Sequence, residues 1–297
     1  MATRFITANL TGAGTTVTLA NGDGALVAQG IVLGSTNGTA LIGVDSYHRV
    51  TVLGTVHGYY YGILLGDDPK LDTGQQVVVG ASGVVSSEHF AVDLNSNNSS
   101  MTNQGLISAG AASTAVLSNG NNSSMTNHGL ISGGIAVQLN GNSSSMTNHG
   151  LIGGGYAGVF AQGFAASGQS RIFNDGTIEG GTYGIERTGA EALRIENHGT
   201  IRGGINSISM INTTNDIVLN RGALIGGVDL GGGNDLYDGR RGSIDGVVYG
   251  GDGDDRFIAG LSEEEFDGGA GVDLLDFTRA SGVTLSPAAA PVPAMTC

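Results

Sequence analysis

Hydrophobic and polar positions along this chain follow two periods at once. Over short stretches the inward positions alternate with polar ones: Met125, Asn127 and Ile131 share parity, and so do Ile135, Val137 and Leu139. A period of two marks strands with one buried face. Over longer distances whole stretches return, SSMTNQGLI at 99–107 and SSMTNHGLI at 123–131 and 144–152. Aligned on N-x-G-x-I, the chain places Asn103, Asn127, Asn148, Asn174, Asn197 and Asn220 at one position, the last with one extra residue before Ile225. Their separations along the sequence are 24, 21, 26, 23 and 23. Weaker versions occur at 52–56 (VLGTV) and 81–85 (ASGVV). A small residue followed by an aliphatic one trails each unit, as in Ala91-Val92, Ala115-Val116, Gly134-Ile135 and Gly184-Ile185.

Helical spacing is missing, and glycine and β-branched residues are poor helix formers. Short strands joined by Gly/Asn/Ser turns predict an all-β fold: a parallel β-solenoid (β-helix) of roughly 20–26-residue coils. Each coil advances about 4.8 Å, so ten coils make a rod on the order of 50 Å long. The repeats divide the chain into an N-terminal β cap with first coils (1–45), the solenoid repeats (46–228), acidic coils (229–281) and a Pro/Ala-rich tail (282–297). At a corner of such a coil, aligned asparagines stack as a ladder and satisfy one another's amides. The next residue then faces outward; it reads Gln104, His128, His149, Asp175, His198, Arg221, too mixed a set for converging zinc ligands.

Composition sharpens this picture. The chain has 297 residues, 54 of them glycine, no tryptophan, 40% hydrophobic and only 13% charged residues. That much apolar content supports a core, and that much glycine suits a turn in every unit. A net charge of −14 argues against a nucleic-acid partner, which needs a basic stripe. The charge is uneven: residues 229–297 hold 13 of the 26 acids and four arginines, so about −9 of the −14 lies there. No apolar run is long enough to span a bilayer, and the N-terminus shows no signal-peptide pattern. The single cysteine, Cys297, leaves no internal disulfide.

Within the acidic coils, GGGNDLYDG (231–239), GGDGDDRFI (250–258) and GGAGVDLLD (268–276) share one spacing. Glycines allow inward-facing carbonyls, and the aspartates add hard oxygen ligands, a combination that suits calcium. Asp235, Asp255 and Asp273 follow one another at offsets of 20 and 18, so one turn of a roll stacks the loops on one edge. The second and third stretches fit the nonapeptide G-G-x-G-x-D-x-U-x, and the first fits except for Leu230 at the leading glycine. Over about residues 229–281 the chain resembles the RTX (hemolysin-type) calcium-binding repeats of secreted bacterial proteins. The resemblance implies an RTX-type β-roll in which glycine carbonyls and aspartates of adjacent loops share each ion. It assigns Gly231, Gly233, Asn234, Asp235, Gly251, Asp252, Gly253, Asp255, Gly269, Gly271 and Asp273 to calcium, with one or two ions. The solenoid repeats resemble those of bacterial adhesin and autotransporter passengers. The resemblance further implies an extracellular or cell-surface location, reached by type I secretion without an N-terminal signal.

Catalytic signatures are scarce. HExxH, GxSxG, GxxxxGK[ST] and CxxC are absent. The densest mixture of chemistry is HGYYYGILLGDDPKLD at 57–72, with His57, three tyrosines, Asp67, Asp68, Lys70 and Asp72. Two functions follow as expectations. One is a non-catalytic, calcium-binding structural, adhesive or filament-forming surface protein, with itself or surface carbohydrate as partner. The other is a carbohydrate-active β-helix enzyme (a polysaccharide lyase, epimerase or hydrolase) with an RTX tail.

Overall fold

A computed structural model describes residues 2–164, 168–260 and 263–277; the 282–297 tail and residues 278–281 of the acidic segment lie outside the described residues. Every strand pairing is parallel, and no helix occurs among the described residues. The chain is a β-solenoid whose coils have three faces. The first face is a thirteen-stranded sheet that starts at Thr3–Ile6 and ends at Leu274–Asp276. The other two faces form one nineteen-stranded sheet, because strands such as Leu130–Leu139 and Thr200–Met210 bend across a corner and pair on both sides of it. Twelve steps along the first face, at about 4.8 Å each, give a rod of roughly 58 Å.

Each face sends an inward column into a single core. On the first face Val50, Val77, Met101, Met125, Met146, Ile172 and Ile195 stack in register. Val56, Val85, Ile107, Ile131, Ile152, Ile178 and Ile201 line the second. Ile63, Val92, Val116, Val137, Val159, Ile185 and Ile208 line the third. All are buried, and each such side chain stabilises the fold by about 1.5–3 kcal/mol. No coil could form this core alone, because every inward side chain rests on the equivalent residue one coil away.

The register fixes the asparagine column. Asn103 pairs with Asn127, Asn127 with Asn148, Asn148 with Asn174 and Asn174 with Asn197. The Nδ2 of Asn103, Asn127, Asn148 and Asn174 each donates to the Oδ1 of the next asparagine at 2.8 Å, and Asn197 reaches Asn220 at 3.0 Å. All six side chains are buried. In earlier coils the same position is Val27, Val52 and Val79. The glycine of N-x-G has its own cause. A methyl at Gly129, Gly150, Gly176 or Gly199 would strike the carbonyl of the equivalent glycine one coil before. The outward column does not converge: His128 and His149 stack at 4.7 Å, 14° from parallel, and His149 Nδ1 lies 2.6 Å from Asp175 Oδ1.

Candidate metal centre

The coil narrows toward its acidic end. Arg194 pairs with Ile217, Ile217 with Leu236, Leu236 with Arg256 and Arg256 with Leu274. The offset from one coil to the next thus falls from 23 to 19, 20 and 18. Three residues are lost at the corner between the second and third faces, where Ile201 pairs with Leu224 but Ile208 with Val228, and one more in the glycine-rich corner before the first face. Gly231, Gly251 and Gly269 have φ of 88°, 105° and 90°, and Gly233, Gly253 and Gly271 have φ of 116°, 133° and 133°. Other residues rarely adopt these angles. The loops also stack too closely for side chains: a Cβ on Gly251 would enter the Gly231 carbonyl, and one on Gly253 the Gly233 carbonyl.

Stacking of these loops places the three motif aspartates in one column just before the first face. Asp235 Oδ1 accepts the Asp216 N–H at 2.6 Å, Asp255 Oδ1 accepts the Asp235 N–H at 2.8 Å, and Asp273 Oδ1 accepts the Asp255 N–H at 3.0 Å. One oxygen of each carboxylate is thus used by the fold. The second is not: Asp235 Oδ2 and Asp255 Oδ2 are buried and have no hydrogen-bond partner, in residues only 3% and 2% exposed. Burial, followed by the charges of Asp216 and Asp255, pushes the Asp235 carboxyl up to about 8. Burial, then Asp273 and Asp254, raises Asp255 as well. An unpaired buried carboxylate is costly, so such a group takes a proton or a cation.

The donor set fits calcium. A Cβ on Gly250 would meet both Asp255 Oδ2 and the Gly268 carbonyl, and one on Gly268 would meet Asp273 Oδ2. The missing side chains leave small cradles bordered by carboxylate and carbonyl oxygens, the hard ligands that calcium takes. In the first loop the equivalent residue is Leu230, fully buried in the core. The remaining predicted ligands sit at the edge of this arrangement. Asn234 is exposed, and its Oδ1 accepts the Asp254 N–H at 3.0 Å; Asp252 is exposed as well. Asp252 contributes through its backbone, donating to the Gly231 carbonyl and accepting from the Gly233 N–H.

The aspartate column starts earlier than the motif. Asp216 Oδ1 accepts the Leu193 N–H at 2.6 Å, in the same relation to its neighbour as Asp235 and Asp255. Its carboxyl is raised to about 6 by burial, against the opposing pull of hydrogen bonds and of Arg187. Further up, the position is filled by Ser170, which accepts the Ser144 N–H, and by Gln75, which accepts the His48 N–H. Leu193 interrupts the series between Ser170 and Asp216, and sequence inspection misses the rest because serine, glutamine and aspartate share only the ability to accept a backbone N–H.

The 57–72 stretch is split by the fold. Tyr59, Tyr60 and His89 cluster at one corner, where the Tyr60 and His89 rings stack at 5.3 Å. Asp67 and Asp72 lie beyond the other end of strand Tyr61–Leu65, roughly 13 Å along it. There they meet Asp45, whose importance the sequence did not reveal; the three carboxylates offer atoms within 4.8 Å of one another. Asp72 Oδ2 is already engaged by the N–H groups of Asp67 and Asp68 at 2.8 and 3.0 Å. His57 turns to Ser86, and Lys70 is exposed with its N–H bound to Asp68. The tyrosines and the carboxylates therefore do not share a site.

Comparison with protein families, with characterised proteins and with solved structures finds no match for this chain. Among the described residues no helix is long and apolar enough to cross a membrane.

Proposed function

We propose that this chain is a non-catalytic structural or adhesive β-solenoid whose acidic coils bind one or two calcium ions. The observation that carries the reading is the pair of buried, unpartnered carboxylate oxygens, Asp235 Oδ2 and Asp255 Oδ2, in loops built from left-handed glycines. The cradle at Gly250, bordered by Asp255 Oδ2 and the Gly268 carbonyl, is the first ion's place; the Gly268–Asp273 cradle is the second's. The resemblance of 231–276 to RTX repeats supports the same ligands and an extracellular setting. Outside the cell, calcium fills such sites and neutralises the column; inside, low free calcium leaves it charged and loosely folded. The separation of the tyrosines from Asp67 and Asp72 favours the non-catalytic reading over the carbohydrate-active one.

The test is a calcium titration followed by circular dichroism and thermal melting, with magnesium as control. Calcium raises the β signal and the melting temperature, and Asp255→Ala combined with Asp273→Ala abolishes the gain. A melting curve indifferent to calcium rejects the proposal. Electron microscopy at high protein and calcium concentration tests the filament form, which a field of monomers alone would rule out.

A further inference from the structure

A second cleft carries the opposite charge. It lies on the outward side of the asparagine corner, has a volume of about 720 Å³, and is walled by Glu196, His198, Arg221, Arg240 and Arg241, with Ala259 and Gly260 beside them. Three of the chain's twelve lysines and arginines therefore meet in one place on a molecule of net charge −14. The volume falls in the range of small-molecule sites.

Geometry explains why the arginines collect here. Leu219 pairs with Asp238 and Ala223 with Ser243, so Arg221 and the Arg240–Arg241 pair, whose corner has one residue more, turn the same corner in successive coils. Their backbones lie about one strand spacing apart, roughly 4.8 Å. Asp238 holds Arg240 with two hydrogen bonds, from Nε at 2.9 Å and Nη2 at 2.6 Å. Asp238 engages Arg240, Asp276 adds its charge there, and Glu264 accepts the Gly260 N–H at 2.6 Å, so Arg221 and Arg241 are the arginines of this wall that no carboxylate holds closely among the described residues.

The cleft also holds a carboxylate of its own. Glu196 Oε1 lies 3.0 Å from His198 Nε2 and 3.9 Å from Arg221 Nε, and its Oε2 is 4.0 Å from Arg194 Nη2. At these lengths Glu196 leaves both arginines short of the roughly 2.7–2.9 Å contact that a charge-assisted hydrogen bond makes. Arg241 is exposed and forms no ion pair among the described residues. We propose that this cleft is an oxyanion-binding site. Arg221 and Arg241 grip a carboxylate or sulfate group in the fork geometry that guanidinium favours, and Arg240 is held in place at its side. The site is independent of calcium in the acidic column, whose ligands lie at a different corner of the coil.

The experiment is a calorimetric titration of the full chain with two probes, inorganic sulfate and a uronic-acid trisaccharide. Saturable binding is expected, weakened about tenfold by Arg241→Gln and further by adding Arg221→Gln. Arg49→Gln, an exposed arginine several coils from the cleft, leaves it unchanged, and equal melting temperatures certify the variants' folds. Tighter binding of the trisaccharide identifies a sugar-borne carboxylate as the ligand; tighter binding of sulfate identifies the inorganic ion or a sulfated group. Absence of saturable binding for both probes, or equal affinity in wild type and the double variant, overturns the proposal.

Discussion

The asparagine coils and the aspartate coils solve one problem with different chemistry. Both must bury a polar side chain at a tight corner of a narrow rod. In the asparagine column every amide is donor and acceptor together, so each coil satisfies the next: Asn148 accepts from Asn127 and donates to Asn174. The aspartates can only accept. Each uses one oxygen on a neighbouring N–H and keeps one over, as at Asp235 and Asp255. A ladder of amides is self-sufficient, whereas a ladder of carboxylates needs a cation or a proton. The comparison teaches that one end of the rod is stable by itself and the other is conditional.

The largest expected effect is steric and falls on the conditional end. Gly251→Ala places a methyl against the Gly231 carbonyl at a φ of 105°, and costs more than about 3 kcal/mol, read by urea denaturation. Next, Asn148→Ala leaves Asn127 Nδ2 only its longer bonds to the Gly129 and Leu151 carbonyls and takes the Asn148 donor from the Asn174 acceptor in a buried column; the loss is about 3 kcal/mol and is the same with or without calcium. Calcium at a hundredfold over its Kd adds about 2.7 kcal/mol to wild type. Hydrogen exchange followed by mass spectrometry locates that gain in 229–277; protection spread evenly along the rod would erase the distinction drawn here.

A smaller effect probes the self-sufficient end at Asp93, one of its buried acids together with Glu186 and Glu191. Asp93 is 3% exposed, and burial raises its carboxyl to about 7, against a hydrogen bond with Asn95 that lowers it. The folded state therefore holds its proton more tightly than the unfolded chain does. Stability is greatest below the unfolded value near 4 and falls as pH rises toward 7, by up to about 1.4 kcal/mol per pH unit. Asp93→Asn flattens this slope, measured by melting from pH 4 to pH 8. The smallest effect is at the surface: His128→Ala, which removes one stacked ring, changes stability by less than about 0.5 kcal/mol.

The solenoid was legible in the sequence because its landmarks are chemically distinctive. Asparagine and glycine recur at separations of 24, 21, 26, 23 and 23, and the strand pairings have the same offsets. Where the position is filled by valine the mark weakens: Val52 is still visible in VLGTV, whereas ASGVV puts Ala81 where the pairing has Val79, since valine at an inward position looks like any other core residue. The spacing of Asp235, Asp255 and Asp273 was equally visible. Their link to Asp216 and Ser170 was not, because a hydrogen bond from a backbone N–H leaves no preference for one acceptor side chain. The basic cleft escaped notice for a different reason. Arg240 and Arg241 fall out of step with the asparagine count, and only the flanking pairings of Leu219 with Asp238 and Ala223 with Ser243 bring them to the corner that Arg221 turns.

The asparagine ladder has an electrical consequence. From Asn103 to Asn197 every Nδ2 points toward the following coil, and Asn220 Nδ2 ends the series on the Ser243 carbonyl at 2.9 Å. Six amide dipoles therefore lie head to tail along the rod, each polarising the next. Their sum behaves like the macrodipole of a helix, with its positive pole where the donors point. That pole faces the coils that hold most of the protein's negative charge, so the amide ladder draws the acidic end toward it before any ion arrives.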